Sequence, residues 1–197
     1  MNEQAQTAPV AEVTDPIEPL KKLAEQDRKK GMDALNELFR SGKPPEVPLN
    51  GPYDGELVVT DIAPVLNQAV GLVTGFWMPW KGKYFVADEH RGDNLFGKES
   101  RLALRLIYPF YRRFEDYSAE MFRGFRFNTS IAEGMEDKDI QVFRIDYDRS
   151  DNPPITIRNI VDEITEVADG VYLGKIHFEQ FWGGWTMIGY FALRRPT

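Results

Sequence analysis

"VYLGKIHFEQFWGGWTMIGYFALRR", residues 171–195, holds the segment that decides the fold. Its second half, 183–195, reads as a strand apolar on both faces. Trp185, Met187, Phe191 and Leu193 lie on one face, and Ile188, Tyr190 and Ala192 on the other. Such a strand must bury both faces, because neither offers polar groups to water. An antiparallel barrel satisfies this demand if one face points inward and helices cover the other. The first half, 171–182, follows Ala168-Asp169-Gly170, and the Asp-Gly pair between apolar runs predicts a hairpin.

Working outward, the same period-two pattern extends back to residue 117. In "YSAEMFRGFRFNTSIAEG" it sets Met121, Phe125, Phe127, Thr129 and Ile131 against Phe122, Gly124, Arg126, Asn128 and Ser130. In "QVFRIDYD" it sets Phe143, Ile145 and Tyr147 against Arg144, Asp146 and Asp148. Consecutive strands without intervening helices make a meander, so the fold class is mainly β: an antiparallel barrel capped by N-terminal α-helices.

The N-terminal part is different. Residues 1–14 are poor in large apolar side chains and are expected to form a disordered tail. Residues 15–42 are expected to form a helical segment with Asp15 as cap, as one kinked helix or two short ones meeting near Gly31. Gly42, Pro44 and Pro45 stop it. Residues 43–197 make the barrel domain with a short inserted helix at "DIAPVLNQAVGLVTG", apolar nearly all round. "SRLALRLIYPFY" is expected to form a further helix ending near Pro109.

Composition narrows the function classes. The chain of 197 residues carries 31 Asp+Glu against 24 Lys+Arg and no cysteine. Net negative charge disfavours nucleic acid and anionic bilayers as partners, although a local basic patch could override it. The absence of cysteine excludes disulfides, thiolate metal sites and cysteine nucleophiles. The N-terminus has no secretory pattern and no apolar run is long enough to span a membrane, so a soluble, cytoplasmic protein is expected.

"GFWMPWKGKYF", residues 75–85, concentrates aromatics and two lysines around a proline and glycines. Trp77, Trp80 and Tyr84 could line a ligand pocket, with Lys81 and Lys83 able to hold a carboxylate or phosphate. Packing of a first barrel strand explains the same residues. The stretch resembles the Gly-x-Trp-x-Gly segment of lipocalin-like (calycin-type) small bacterial barrels. Gly75 and Trp77 fit that pattern, while Pro79 stands where its second glycine belongs and Gly82 follows Trp80. The resemblance covers architecture over about 75–195 and transfers no functional residue. It implies a cavity for an apolar molecule such as a lipid, isoprenoid, pigment or haem.

Other candidates are weaker. His177 could ligate iron or act as a base, yet alternation places it on the polar face with Lys175 and Glu179. With His90 far away in sequence, no metal-ligand spacing occurs, and no metal is expected. An inward Arg126 lacking a protein carboxylate would clamp an anionic head group. "HRGDN" reads as turn chemistry at Gly92-Asp93-Asn94.

Three functions follow. The first is a binding protein for an apolar small molecule, using Trp77, Trp80, Tyr84, Arg126, His177, Trp185 and Tyr190. The second is an isomerase, cyclase or lyase in the same cavity, whose acid–base residues would come from His177, Asp146 and Glu163. The third is a ligand-free module that docks or self-associates through Leu20, Leu23, Leu35 and Leu38 of the N-terminal helix.

Overall fold

The computed structural model describes residues 15–60 and 79–196. The expected tail, the inserted helix and Trp77 lie outside the described residues. Two helices open the chain, α1 (Ile17–Gln26) and α2 (Arg28–Ser41). Asp15 Oδ1 accepts the Ile17 N–H at 2.8 Å. The break falls at Asp27, whose extended backbone ends α1 and whose carboxylate accepts the Lys30 N–H at 3.1 Å to start α2. Gly31 is instead inside α2, where a Cβ would sit 2.3 Å from Ala24 Cα. The glycine therefore serves the close approach of the two helices rather than a kink.

The strands follow as β1 (Gly51–Thr60), β2 (Trp80–Val86), β3 (Arg91–Gly97), β4 (Glu115–Asp116), β5 (Met121–Glu133), β6 (Gln141–Asp146), β7 (Ile160–Ala168), β8 (Val171–Glu179) and β9 (Trp185–Arg194). A short helix, α3 (Arg101–Ile107), lies between β3 and β4. Every pairing is antiparallel. The order β3-β2-β1-β9-β8-β7-β6-β5 closes through a β3–β5 pairing, so eight strands form a barrel, and the two-residue β4 flanks β5. This architecture fits the lipocalin-like arrangement. "RGDN" is part of β3, not a turn.

Two alternation patterns are corrected by bulges. In β5, Phe125 adopts φ 52°, and the register against β3 slips between Gly92 and Asn94. The extra residue changes the parity of the strand, so Phe122, Phe125 and Phe127 all join the same core. In β9, Gly189 faces Ile176 while Met187 faces His177. Ile188 thereby joins Phe191 and Leu193 inside, and Met187 packs outside with Tyr190 and Ala192.

β9 is buried on both faces as its sequence requires. Its inner residues meet Tyr53, Phe85, Phe127, Ile145, Ile164, Tyr172 and Ile176 in the barrel core. Its outer residues lie under Ile17, Leu35 and Phe39 of the N-terminal helices, beside Val142, Val171 and Leu173. The apolar helix stripe is thus spent on the chain's own sheet: Leu35 is fully buried, and Leu20 and Leu38 pack against this cluster. Among the described residues, no helix is long and apolar enough to cross a membrane.

The strand connections sort by length. At one end, residues 87–90, 134–140 and 169–170 make short links. At the other end run the longer segments 98–120 and 147–159, together with the β8–β9 turn at 180–184. This long-loop end carries the polar interior described next.

Candidate functional site

Among the described residues the barrel interior contains one buried polar cluster, built from β2, β3, β7 and the residue after β6. Lys83 on β2 points inward because its neighbours on that face, Tyr53 across β1 and Asn94 across β3, do so too. Asp162 shares the inner face of β7 with Ile160 and Ile164. Lys83 Nζ donates to Asp162 Oδ2 at 2.8 Å, to Asn94 Oδ1 at 3.1 Å and to the Tyr147 hydroxyl. Those three bonds use all three ammonium donors. The Trp80 indole N–H and the Tyr147 O–H also reach Asn94 Oδ1, at 3.1 and 3.0 Å. Asn94 Nδ2 donates to the Phe125 carbonyl at 3.0 Å, which fixes the amide.

Aromatic rings complete the cage. The ammonium lies 5.0–5.5 Å from the ring centroids of Trp80, Phe127, Tyr147 and Phe191. Burial lowers the Lys83 pKa from its ordinary value, and the Asp162 charge opposes that fall. Burial and the same carboxylate push the Tyr147 phenol well up, so it remains a proton donor. Gly82 makes the arrangement possible. Its φ is 140°, and a Cβ there would meet the Tyr53 carbonyl at 1.9 Å. The β2–β3 register slips between Trp80 and Gly82, which brings Trp80 onto the inner side with Lys83.

Leu57, Trp80, Ile160, Ile176 and Phe191 surround this cluster and leave a cavity of about 10 Å³, the room of about one water. Among the described residues the barrel is therefore filled by side chains rather than hollow.

Of the sequence candidates, Trp80 is in this site. Tyr84 is on the opposite face of β2, against Tyr117 and beneath the Arg123 guanidinium. Arg126 is likewise on the face opposite Phe127 and has carboxylate partners, Asp93 at 3.2 Å and Glu115 at 2.8 Å. Tyr190 lies outside the barrel under α2, its hydroxyl 3.4 Å from Asn36 Oδ1. Trp185 is partly exposed beside Ile155 and Arg158 at the long-loop end. These residues do not converge on one cavity.

His177 and Glu163 form a second buried group, on the outer face of the sheet. Both are fully buried, with Nε2 and Oε2 3.2 Å apart but not aligned as a hydrogen bond. Glu163 Oε1 accepts the Met135 N–H at 2.8 Å and Arg144 at 3.3 Å. Burial raises the Glu163 pKa, but His177, the Met135 N–H and Arg144 outweigh it and hold the carboxyl below its usual value. Alternation put His177 on the outer face as expected. It is buried rather than solvated because that face lies in the sealed region beside Lys175 and Asp137, themselves paired at 2.5 Å. Asp146 is outside too, in an open groove with Asp148 and Arg158. Among the described residues, no three His, Cys, Asp or Glu side chains group as metal ligands.

Sequence reasoning missed Asp162, Asn94 and Tyr147 as partners of Lys83. The signal was present for Asp162: in "NIVDEITEV" the two-residue period places it with Ile160 and Ile164, the apolar face.

No family model matches the chain, and no curated protein matches it. A solved structure of a protein from Thermomonospora curvata is similar over 91% of this chain and 99% of its own, with 15% identity and a TM-score of 0.49.

Proposed function

We propose that the chain is a small-molecule binding protein whose site is the Trp80–Lys83–Asp162 crevice at the long-loop end of the barrel. One observation carries this reading: an ion pair sits in a cage of aromatic rings inside the barrel wall. Well-packed apolar residues would serve stability there at least as well as a buried pair. Its charge is balanced by Asp162, so an anionic ligand would leave one buried negative charge unpaired. The favoured ligand is neutral and mostly apolar, of lipid, isoprenoid or pigment type, with one carbonyl or hydroxyl oxygen. That oxygen takes the place of Tyr147 or Asn94 on the ammonium, and Trp80 swings outward to admit the chain. A haem-sized ligand would require the strands to separate.

A medium-chain ketone and the alkane of equal length are the probes, followed by amide and indole NMR. The ketone is expected to shift the Trp80 indole and Lys83 backbone signals saturably, and the alkane more weakly. Replacing the pair together, Lys83→Met with Asp162→Leu, is expected to weaken ketone binding about tenfold, the worth of one charge-assisted hydrogen bond. Absence of a saturable shift up to the solubility limit would sink the reading.

A second, catalytic reading rests on the placement of the buried Lys83 amine beside the Tyr147 hydroxyl and the Asp162 carboxylate, with burial lowering its pKa. Its amine would add to a substrate carbonyl; the carbon–oxygen bond breaks, water leaves, and an imine remains. Borohydride reduction in the presence of the ketone would then add the alkyl mass to Lys83. An unmodified Lys83 peptide rules this chemistry out.

A further inference from the structure

The α3 region breaks the usual economy of an exposed surface. Leu102, Leu106 and Phe110 are 71, 73 and 91% exposed, although each is large and apolar. Leu102 and Leu106 are one helical turn apart, on the side of α3 opposite the buried Leu104. The sequence pattern predicts a helix here but not which side it shows. The outcome follows from its length: a seven-residue helix is anchored by Leu104 and the partly buried Ile107, and Tyr108 and Tyr111 then turn the chain back into the core.

Charge distinguishes this patch from a stray apolar surface. Residues 98–113 contain Lys98, Arg101, Arg105, Arg112 and Arg113 against one acid, Glu99, in a chain of net charge −7. Lys98 and Arg101 share Asp116. Arg105, Arg112 and Arg113 are exposed, and among the described residues none has a carboxylate partner. Three unpaired guanidinium groups thus flank three exposed apolar side chains. The patch belongs to the long-loop end, where the β8–β9 turn also exposes Phe181 and Trp182. Large apolar side chains with interspersed arginines are the chemistry of an interfacial lipid anchor, and Trp favours the headgroup level. An acidic protein partner would pair the arginines, but it would not by itself account for two leucines and a phenylalanine left exposed beside them.

We propose that residues 98–113 dock the long-loop end of the barrel onto an anionic lipid surface, with Leu102, Leu106 and Phe110 entering the interface and Arg105, Arg112 and Arg113 on the headgroups. The remaining surface, more acidic than the chain average, is repelled by the same membrane and orients the barrel. This inference stands apart from the ligand reading, and its test needs no ligand.

The full chain is sedimented with vesicles of phosphatidylcholine mixed with phosphatidylglycerol, and with vesicles of phosphatidylcholine alone. Binding to the mixed vesicles that falls with added salt is expected. Combined Arg105→Ser, Arg112→Ser and Arg113→Ser is expected to weaken partitioning about a hundredfold, from roughly 1 kcal/mol for each arginine at an anionic surface. Leu106→Ser with Phe110→Ser is expected to weaken it tenfold or more. All five side chains are exposed, and circular dichroism checks that each variant keeps its fold. Equal sedimentation with both vesicle types overturns the proposal, as do variants that bind like the parent. Absence of vesicle binding, with a dimer in light scattering that the same substitutions abolish, overturns it in favour of a second copy of the chain. Absence of both, with arginine-dependent capture of a polyglutamate probe, overturns it in favour of an acidic protein partner.

Discussion

Lys83 makes three hydrogen bonds and lies among four rings, yet each of those contacts compensates a charge that water would solvate without help. Breaking the pair and replacing it therefore have different consequences. Asp162→Ala leaves an ammonium buried without its counter-charge, and a loss of about 3–5 kcal/mol is expected in urea unfolding. The double replacement Lys83→Met with Asp162→Leu removes both charges, and its stability is expected within about 1–2 kcal/mol of the parent, or above it. A single variant as stable as the parent would mean that Lys83 sheds its proton or reaches water. The two-residue period of β7 puts Asp162 on the inner face, but nothing in the sequence pairs it with Lys83. Seventy-nine positions separate them along the chain, and only closure of the barrel brings Nζ and Oδ2 within 2.8 Å.

At the scale of elements, the N-terminal helices act as the outer layer of the sheet. Leu35 and Phe39 are fully buried against Leu173, Tyr190 and Ala192, and the Thr165 hydroxyl donates to the Phe39 carbonyl at 2.9 Å. Arg194 ties the other end, reaching Asp15 at 2.6 Å and Glu56 at 3.0 Å. Leu35→Ala is expected to cost about 2–5 kcal/mol, because it removes buried methyl groups from a rigid seam and leaves a cavity. A cost below about 0.5 kcal/mol in urea unfolding would show that α2 is only loosely attached. The stripe itself was readable from its helical spacing. That the helices cover the chain's own sheet follows from the two apolar faces of the last strand, while the stripe taken alone fits a second copy of the chain equally well.

Across the molecule, the buried carboxylates make stability depend on acid. Burial raises the pKa of Asp137, but Lys175 and Arg40 outweigh it, so the folded carboxyl lies below its ordinary value; Glu163 is lowered in the same sense. For a depressed carboxylate, the contribution is complete above the unfolded pKa, about 4. It is lost as pH falls through the folded value, because the unfolded chain then binds protons more readily. Urea midpoints are therefore expected to be flat with respect to these two groups from pH 7 to about 5 and to drop below about 4. Asp137→Asn should shrink that drop. An unchanged acid limb in this variant would show that Asp137 is not among the groups responsible.

What the sequence determined by itself was the class of the molecule: a two-faced apolar last strand, a meander and an amphipathic helical start, each a local pattern set by side-chain period. Tertiary structure decided everything that depends on parity and closure. The bulge at Phe125 brought Phe122 into the core with Phe125 and Phe127, and the slip at Gly189 put Ile188 inside and Met187 outside. Tyr190, Arg126 and His177 lie outside the barrel by plain alternation with their neighbours, and closure of the ring brought Lys83, Asp162, Asn94 and Tyr147 together inside it. Period-two counting carries a strand only as far as its next bulge, and packing across the whole ring determines where a bulge is tolerated.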